Sequence, residues 1–200
     1  AINDGVIVIS SAGNSYWQSD ISTGSDYFNT FVRSGSTYST SRGGTPGAAN
    51  NVICVGSIGS KINEKKSDFS NWGERVDIWA PGSDIISAVY DQSSANSASY
   101  GSLPEDPRNS SYHLASINGT SMASPQVCGV IACLSEQEQN LTQAEALQHL
   151  KENALAEVGT SGTINHSPYL AFGDSHNRYL FMPKKRPETG TVSPAVLHKN

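Results

Sequence analysis

Short runs in which nearly every residue is apolar interrupt a polar chain. Residues 5–12 read GVIVISSA and stop at Gly13-Asn14, and residues 51–57 read NVICVGS. A run that is apolar at odd and even positions alike suits a strand covered on both faces, so two buried strands are expected there. Residues 76–79 and 84–88 are shorter strand candidates flanking Pro81-Gly82, a turn signal, and a further strand is expected near 28–33. Between them, residues 15–50 are rich in Ser, Thr, Gly and Asn, with turns at Gly43-Gly44 and Pro46-Gly47. Residues 91–111 carry little hydrophobicity and two prolines, which predicts an exposed loop.

From Thr120 the period changes. Met122, Ala123, Val127, Val130, Ile131 and Leu134 recur at helical spacing, predicting a helix that ends near residues 135–139. A second helix follows over 143–154: Thr142 caps it, Glu145 completes a capping box, and Ala146, Leu147 and Leu150 form its apolar stripe. Strands alternating with helices give an α/β class with a mostly parallel sheet. Residues 1–158 form that unit, and 159–200, with four prolines and scattered aromatics, read as an extended C-terminal arm or linker.

Composition narrows the function. The chain of 200 residues is 16% charged and holds 31 serines, a polar but weakly charged surface. No apolar run approaches the ~18 residues of a membrane span. A net charge of −5 opposes phosphate-driven nucleic-acid binding, although residues from 183 onward carry +3 and the rest −8. Cys54, Cys128 and Cys133 sit in apolar sequence without CxxC spacing and are expected as buried free thiols, with no metal site. Ala1 leads into the first strand without a basic, cleavable signal segment, so the chain reads as one entered midway.

Candidate chemistry concentrates at residues 117–125, INGTSMASP: a strand-like approach, a glycine, then Ser121 at the opening of a helix. A hydroxyl there lies beside unsatisfied N–H groups and the positive end of the helix dipole, which can stabilise an oxyanion. Read alone, Ser121 is more simply a helix-capping serine. Pro125 is placed in the first turn or just after it.

The run GTSMASP resembles the nucleophile signature of the subtilisin-like serine proteases, the subtilases. Residues 6–14, VIVISSAGN, resemble the strand of that family that ends in Ala-Gly-Asn. Phe69-Ser70-Asn71-Trp72-Gly73 and the stretch 76–82, VDIWAPG, follow in the family's order. The resemblance implies the C-terminal half of a subtilisin-like three-layer fold, with Ser121 as nucleophile and Asn14 as side-chain donor to the oxyanion. Ser11, Ala12 and Gly13 would line the primary specificity pocket, and Asn118, Gly119 and Thr120 would flank the scissile bond.

The same resemblance implies a triad Asp and His, in that order, ahead of the Ala-Gly-Asn strand, and nothing in this sequence matches them. His113 and His149 are weak substitutes, and Asp77 and Asp84 read as turn or strand-end residues. Two readings stay open. The first is a serine endopeptidase acting on polypeptides, whose Asp and His come from an upstream segment or a separate chain. The second is a catalytically degenerate subtilase-like module serving as a structural or binding part of a larger assembly, which Gln126 favours, since the family often has His there. An unrelated α/β hydrolase would show GxSxG, which GTSMA does not. No cofactor is required; Ca2+ enters only as a structural ion that the family often carries, without a carboxylate-rich loop to hold it. Three sequons, at Asn109, Asn118 and Asn140, are chance-level patterns, and the compartment, extracellular or within a larger particle, stays open.

Overall fold

The computed structural model describes residues 1–24, 27, 30–33, 35–39, 43–59, 65–89, 105–155 and 178–181. Strands β1 (Ile9–Ser11), β4 (Ile53–Ile58) and β5 (Ile78–Pro81) form a parallel sheet in the order β1-β4-β5. The register pairs Ile9 with Ile53 and Val55 with Ile78. Strand β4 is buried along its whole length, as its unbroken apolar run requires. The first run behaves differently: only Ile9–Ser11 is strand, and Ile7, Val8 and Ile9 are half-buried, because β1 has one neighbour among the described residues.

Two layers cover this sheet. Helix α1 (Thr120–Gln137) and helix α2 (Gln143–Asn153) pack one face, where Ile53, Val55, Ile78 and Ala80 meet Ala123, Val127, Ile131, Ala146 and Leu150. On the other face Cys54, Ile58, Val76 and Trp79 pack with Ala12, Trp72 and Tyr179. Gly56 lets the Trp79 ring lie directly on β4, since a Cβ there would collide with the indole. The second helix begins as its sequence predicts: Thr142 Oγ1 accepts from the Glu145 N–H at 3.3 Å while Glu145 accepts from the Thr142 N–H at 2.9 Å.

The remaining described strands are antiparallel and form two sheets of their own beside the parallel one, within an α/β fold. Strands β2 (Thr30–Arg33) and β3 (Ser36–Ser39) make a hairpin, and β6 (Ile85–Val89), β8 (Asn109–Ile117) and β7 (Glu105–Asp106) form a sheet in the order β6-β8-β7. The loop expected over 91–111 is therefore corrected at its end: residues 105–106 and 109–111 are strand, and 91–104 lie outside the described residues. Low hydrophobicity misleads there because β8 is a solvent-exposed ribbon held by backbone pairing, with Tyr112 and Ile86 both exposed.

Of the C-terminal arm only residues 178–181 are described. They return beside β5: the Trp79 N–H donates to Arg178 C=O at 2.8 Å and the Leu180 N–H donates to Trp79 C=O at 2.7 Å.

Candidate active site

Helix α1 opens at Gly119, whose carbonyl accepts from the Met122 N–H, and no side chain caps it. Thr120 is fully buried and Ser121 is exposed in the first turn, where helical N–H groups have no intrahelical acceptor. Pro125 falls just after the first turn and lacks the N–H that would otherwise reach the Ser121 carbonyl.

Asn14 follows β1 and stands beside this helix start. Its Oδ1 accepts from the Thr120 N–H at 2.9 Å and from the Thr120 hydroxyl at 2.8 Å. Thr120 Oγ1 in turn accepts from the Gly13 N–H at 3.2 Å. With Oδ1 occupied, the Asn14 amide nitrogen is the end left for another acceptor. A side chain at Gly119 would place its Cβ 3.4 Å from Asn14 Nδ2, 3.6 Å from the Ser121 nitrogen and 3.3 Å from Met122 Sδ. Asn14 Nδ2 and the Ser121 nitrogen thus both border the space that a side chain at this position would enter.

Two turns brace the site. Asn71 Nδ2 donates to Ala12 C=O at 2.7 Å, and Asn71 Oδ1 accepts from Ser15 N–H at 3.1 Å and Trp17 N–H at 2.8 Å. The Pro81-Gly82 turn supports the other side: Gly119 N–H donates to Gly82 C=O at 2.7 Å, Asp84 N–H to Asn118 Oδ1 at 2.5 Å, and Gln126 Nε2 to Pro81 C=O at 2.5 Å. A Cβ on Gly82 would stand 2.6 Å from the Gly119 carbonyl, so this close approach also needs glycine. Sequence reasoning assigned no role to Asn71, Gly82 or Gln126. The first two lay within motifs already singled out, and Gln126 was read only as a departure.

A sequence model described as the subtilase family matches residues 1–181. The chain belongs to the subtilase family. It is therefore a member of a serine-peptidase family of hydrolases. It is 36% identical over 124 residues to Subtilisin-like protease 3 of Arthroderma benhamiae, covering 61% of this chain and 25% of that protein. The alkaline proteinase of Hapsidospora chrysogena is 38% identical over 134 residues, 64% of this chain and 28% of that protein. Among solved structures, a cold-adapted subtilisin-like serine proteinase superposes with a TM-score of 0.60 at 25% identity, covering 92% of this chain and 48% of that one. The subtilase chain thus spans about a quarter of these curated relatives and about half of that structure.

Other candidates of this subtilase fall elsewhere. His113 lies within β8, paired with Val89 and four residues before that strand ends at Ile117. His149 lies on α2. Asp77 Oδ2 accepts from Arg75 at 2.8 Å and from the Cys54 N–H at 2.9 Å, a structural carboxylate, and Asp84 is exposed in a turn at φ 56°. Only Cys54 is a buried thiol. Cys128 and Cys133 are exposed, correcting the expectation for all three, because α1 turns Val127, Ile131 and Leu134 inward and these two outward. Among the described residues no group of His, Cys, Asp or Glu could hold a metal ion, and no helix is long and apolar enough to cross a membrane. A cleft of about 750 Å³ lined by Ile2, Asn51, Thr142 and Leu147 lies at the N-terminal turn and α2, and neither Ser121 nor Asn14 lines it.

Proposed function

We propose that this chain supplies the nucleophile and the side-chain oxyanion donor of a serine endopeptidase whose triad Asp and His lie outside residues 1–200. The observation carrying the proposal is the double hydrogen bond from Thr120 to Asn14 Oδ1, which leaves Asn14 Nδ2, like the Ser121 nitrogen, bordering the space at Gly119.

In this reading Ser121 Oγ attacks the carbonyl carbon of a polypeptide, and the His outside the chain accepts the hydroxyl proton and then delivers it to the departing amine. The carbonyl oxygen becomes an oxyanion between Asn14 Nδ2 and the Ser121 N–H, and collapse leaves an acyl-enzyme that water hydrolyses. Ser11, Ala12 and Gly13 present the end of β1 to the substrate residue before the scissile bond, with Asn118, Gly119 and Thr120 across from them. A dedicated base is necessary because an isolated serine hydroxyl is a weak nucleophile at neutral pH.

Fluorophosphonate labelling of the protein at its natural length, beside Ser121→Ala, tests this. Labelling of the wild type that disappears in Ser121→Ala is expected. A folded protein that takes no label would leave the degenerate binding module instead, with Ser121 a residue of the helix start and nothing more.

A further inference from the structure

Lys66 is 1% exposed, among the most buried large side chains of the molecule. Its Nζ donates to the carbonyls of Ser67 at 2.9 Å and Ser70 at 3.3 Å, and lies 4.5 Å from the centroid of the Tyr16 ring. Burying an ammonium is costly unless hydrogen bonds and other attractions offset its lost hydration, whereas a methionine fills similar space without that cost. A lysine here therefore contributes through its charge and its donors.

The turn it closes is the one that holds the oxyanion strand. Phe69 C=O accepts from Tyr16 N–H at 2.9 Å, Asn71 N–H donates to Gly13 C=O at 2.9 Å, and the Asn71 side chain bonds Ala12, Ser15 and Trp17. These contacts grip the chain on both sides of Asn14, which is itself exposed. Tyr16, two residues beyond, has φ 57°, a left-handed conformation that L side chains adopt against preference, and its buried ring faces the cation.

We propose that Lys66 is a positioning residue for Asn14, holding the 67–71 turn and the Tyr16 ring so that the Asn14 amide keeps its place beside Ser121. This rests on the reading of Asn14 as oxyanion donor. Lys66 touches no substrate in this scheme and acts only through Asn14.

The test measures kcat and KM for peptide hydrolysis by the protein at its natural length, in Lys66→Met, Lys66→Arg, Asn14→Ala and the double variant Lys66→Met/Asn14→Ala. Lys66→Met is expected to lower kcat about 10- to 100-fold with KM nearly unchanged, since displacing one donor by an ångström costs on that order. Lys66→Arg, which retains a cation, recovers most of the loss. In the Asn14→Ala background Lys66→Met changes kcat no further, because both act through one group. An unchanged kcat, or a loss of full size in that background, overturns the proposal. If Lys66→Met does not fold, Tyr16→Leu, which leaves the ammonium and both carbonyls in place, is expected to show the same loss, absent in the Asn14→Ala background. If the wild type hydrolyses no peptide, the proposed function fails separately and amide hydrogen exchange decides. Lys66→Met or Tyr16→Leu should then speed exchange at Ser15, Tyr16 and Trp17, and unchanged protection there overturns the positioning role.

Discussion

Thr120 donates twice to Asn14, through its backbone N–H and its hydroxyl, and both bonds end on the same oxygen. One amide is thereby fixed in orientation by the residue next to Ser121. Thr120→Val keeps the shape of the side chain and removes the hydroxyl, leaving the Gly13 N–H without its partner. A loss of about 1–3 kcal/mol in unfolding free energy is expected, together with a lower kcat for peptide hydrolysis. Thr120→Ser, which restores the hydroxyl, should recover most of both; denaturant titration and steady-state kinetics on the three proteins check this.

Asn14→Ala removes the side-chain donor while the Ser121 N–H stays. A fall in kcat of roughly 10²–10³ with little change in KM is expected, the magnitude established for such a donor in subtilisin itself. A change confined to KM would show that Asn14 only binds substrate.

Arg75 is a buried anchor whose side-chain hydrogen bonds go to none of the site residues. It donates to Asp77 at 2.8 Å and to the carbonyls of Ala49 and Val52 at 2.6 Å each, tying β4 to the start of β5. Arg75→Met leaves Asp77 with the Cys54 N–H at 2.9 Å and Lys151 at 4.0 Å but deprives the buried carbonyls of Ala49 and Val52 of their donor, and should cost about 1–3 kcal/mol, read as a lower urea midpoint at constant slope.

Burial pushes the Cys54 thiol up from 9.0 to about 12, with the Arg75 charge opposing in part and the Asp77 charge adding. The unfolded chain therefore loses this proton first as pH rises. Stability from this group is complete below pH 9.0 and declines as pH rises toward about 12, and Cys54→Ala should remove that part of the decline. In the native 200-residue chain, Cys128 and Cys133 should react with a thiol reagent at pH 8 and Cys54 only after unfolding.

What the sequence revealed was local. The capping box at Thr142, the helix from Thr120 and the buried run at 53–58 each follow from a few neighbouring residues. Ser121 and Asn14 were legible as candidates through their motifs. The grip of Asn71 on residues 12–17 was not, because its bonds cross more than fifty residues and no periodicity encodes them. Strand β8 was partly missed for a different reason: its stabilisation lies in pairing with β6 and β7 rather than in its own polar residues. Cys128 and Cys133 were misjudged because apolar neighbours in sequence fall on different sides of a helix.

At the start of α2 the Thr142 hydroxyl and N–H hold the Glu145 carboxylate below its ordinary range. A depressed carboxylate contributes stability above its unfolded value and loses it as pH falls through the folded one. Thr142→Ala should therefore destabilise the protein more at pH 7 than at pH 3, as read from thermal melts of both proteins at the two pH values.

The bonds from Thr120 to Asn14 span 106 residues, and that from Gln143 to Val8 spans 135. Contacts of such separation form slowly, after long stretches of chain have been closed. A ribosome that has released Asn14 must add more than a hundred residues before its partner exists. In the proposed enzyme, Asn14 and Ser121 would then come together only after the segment carrying Thr120 has been made.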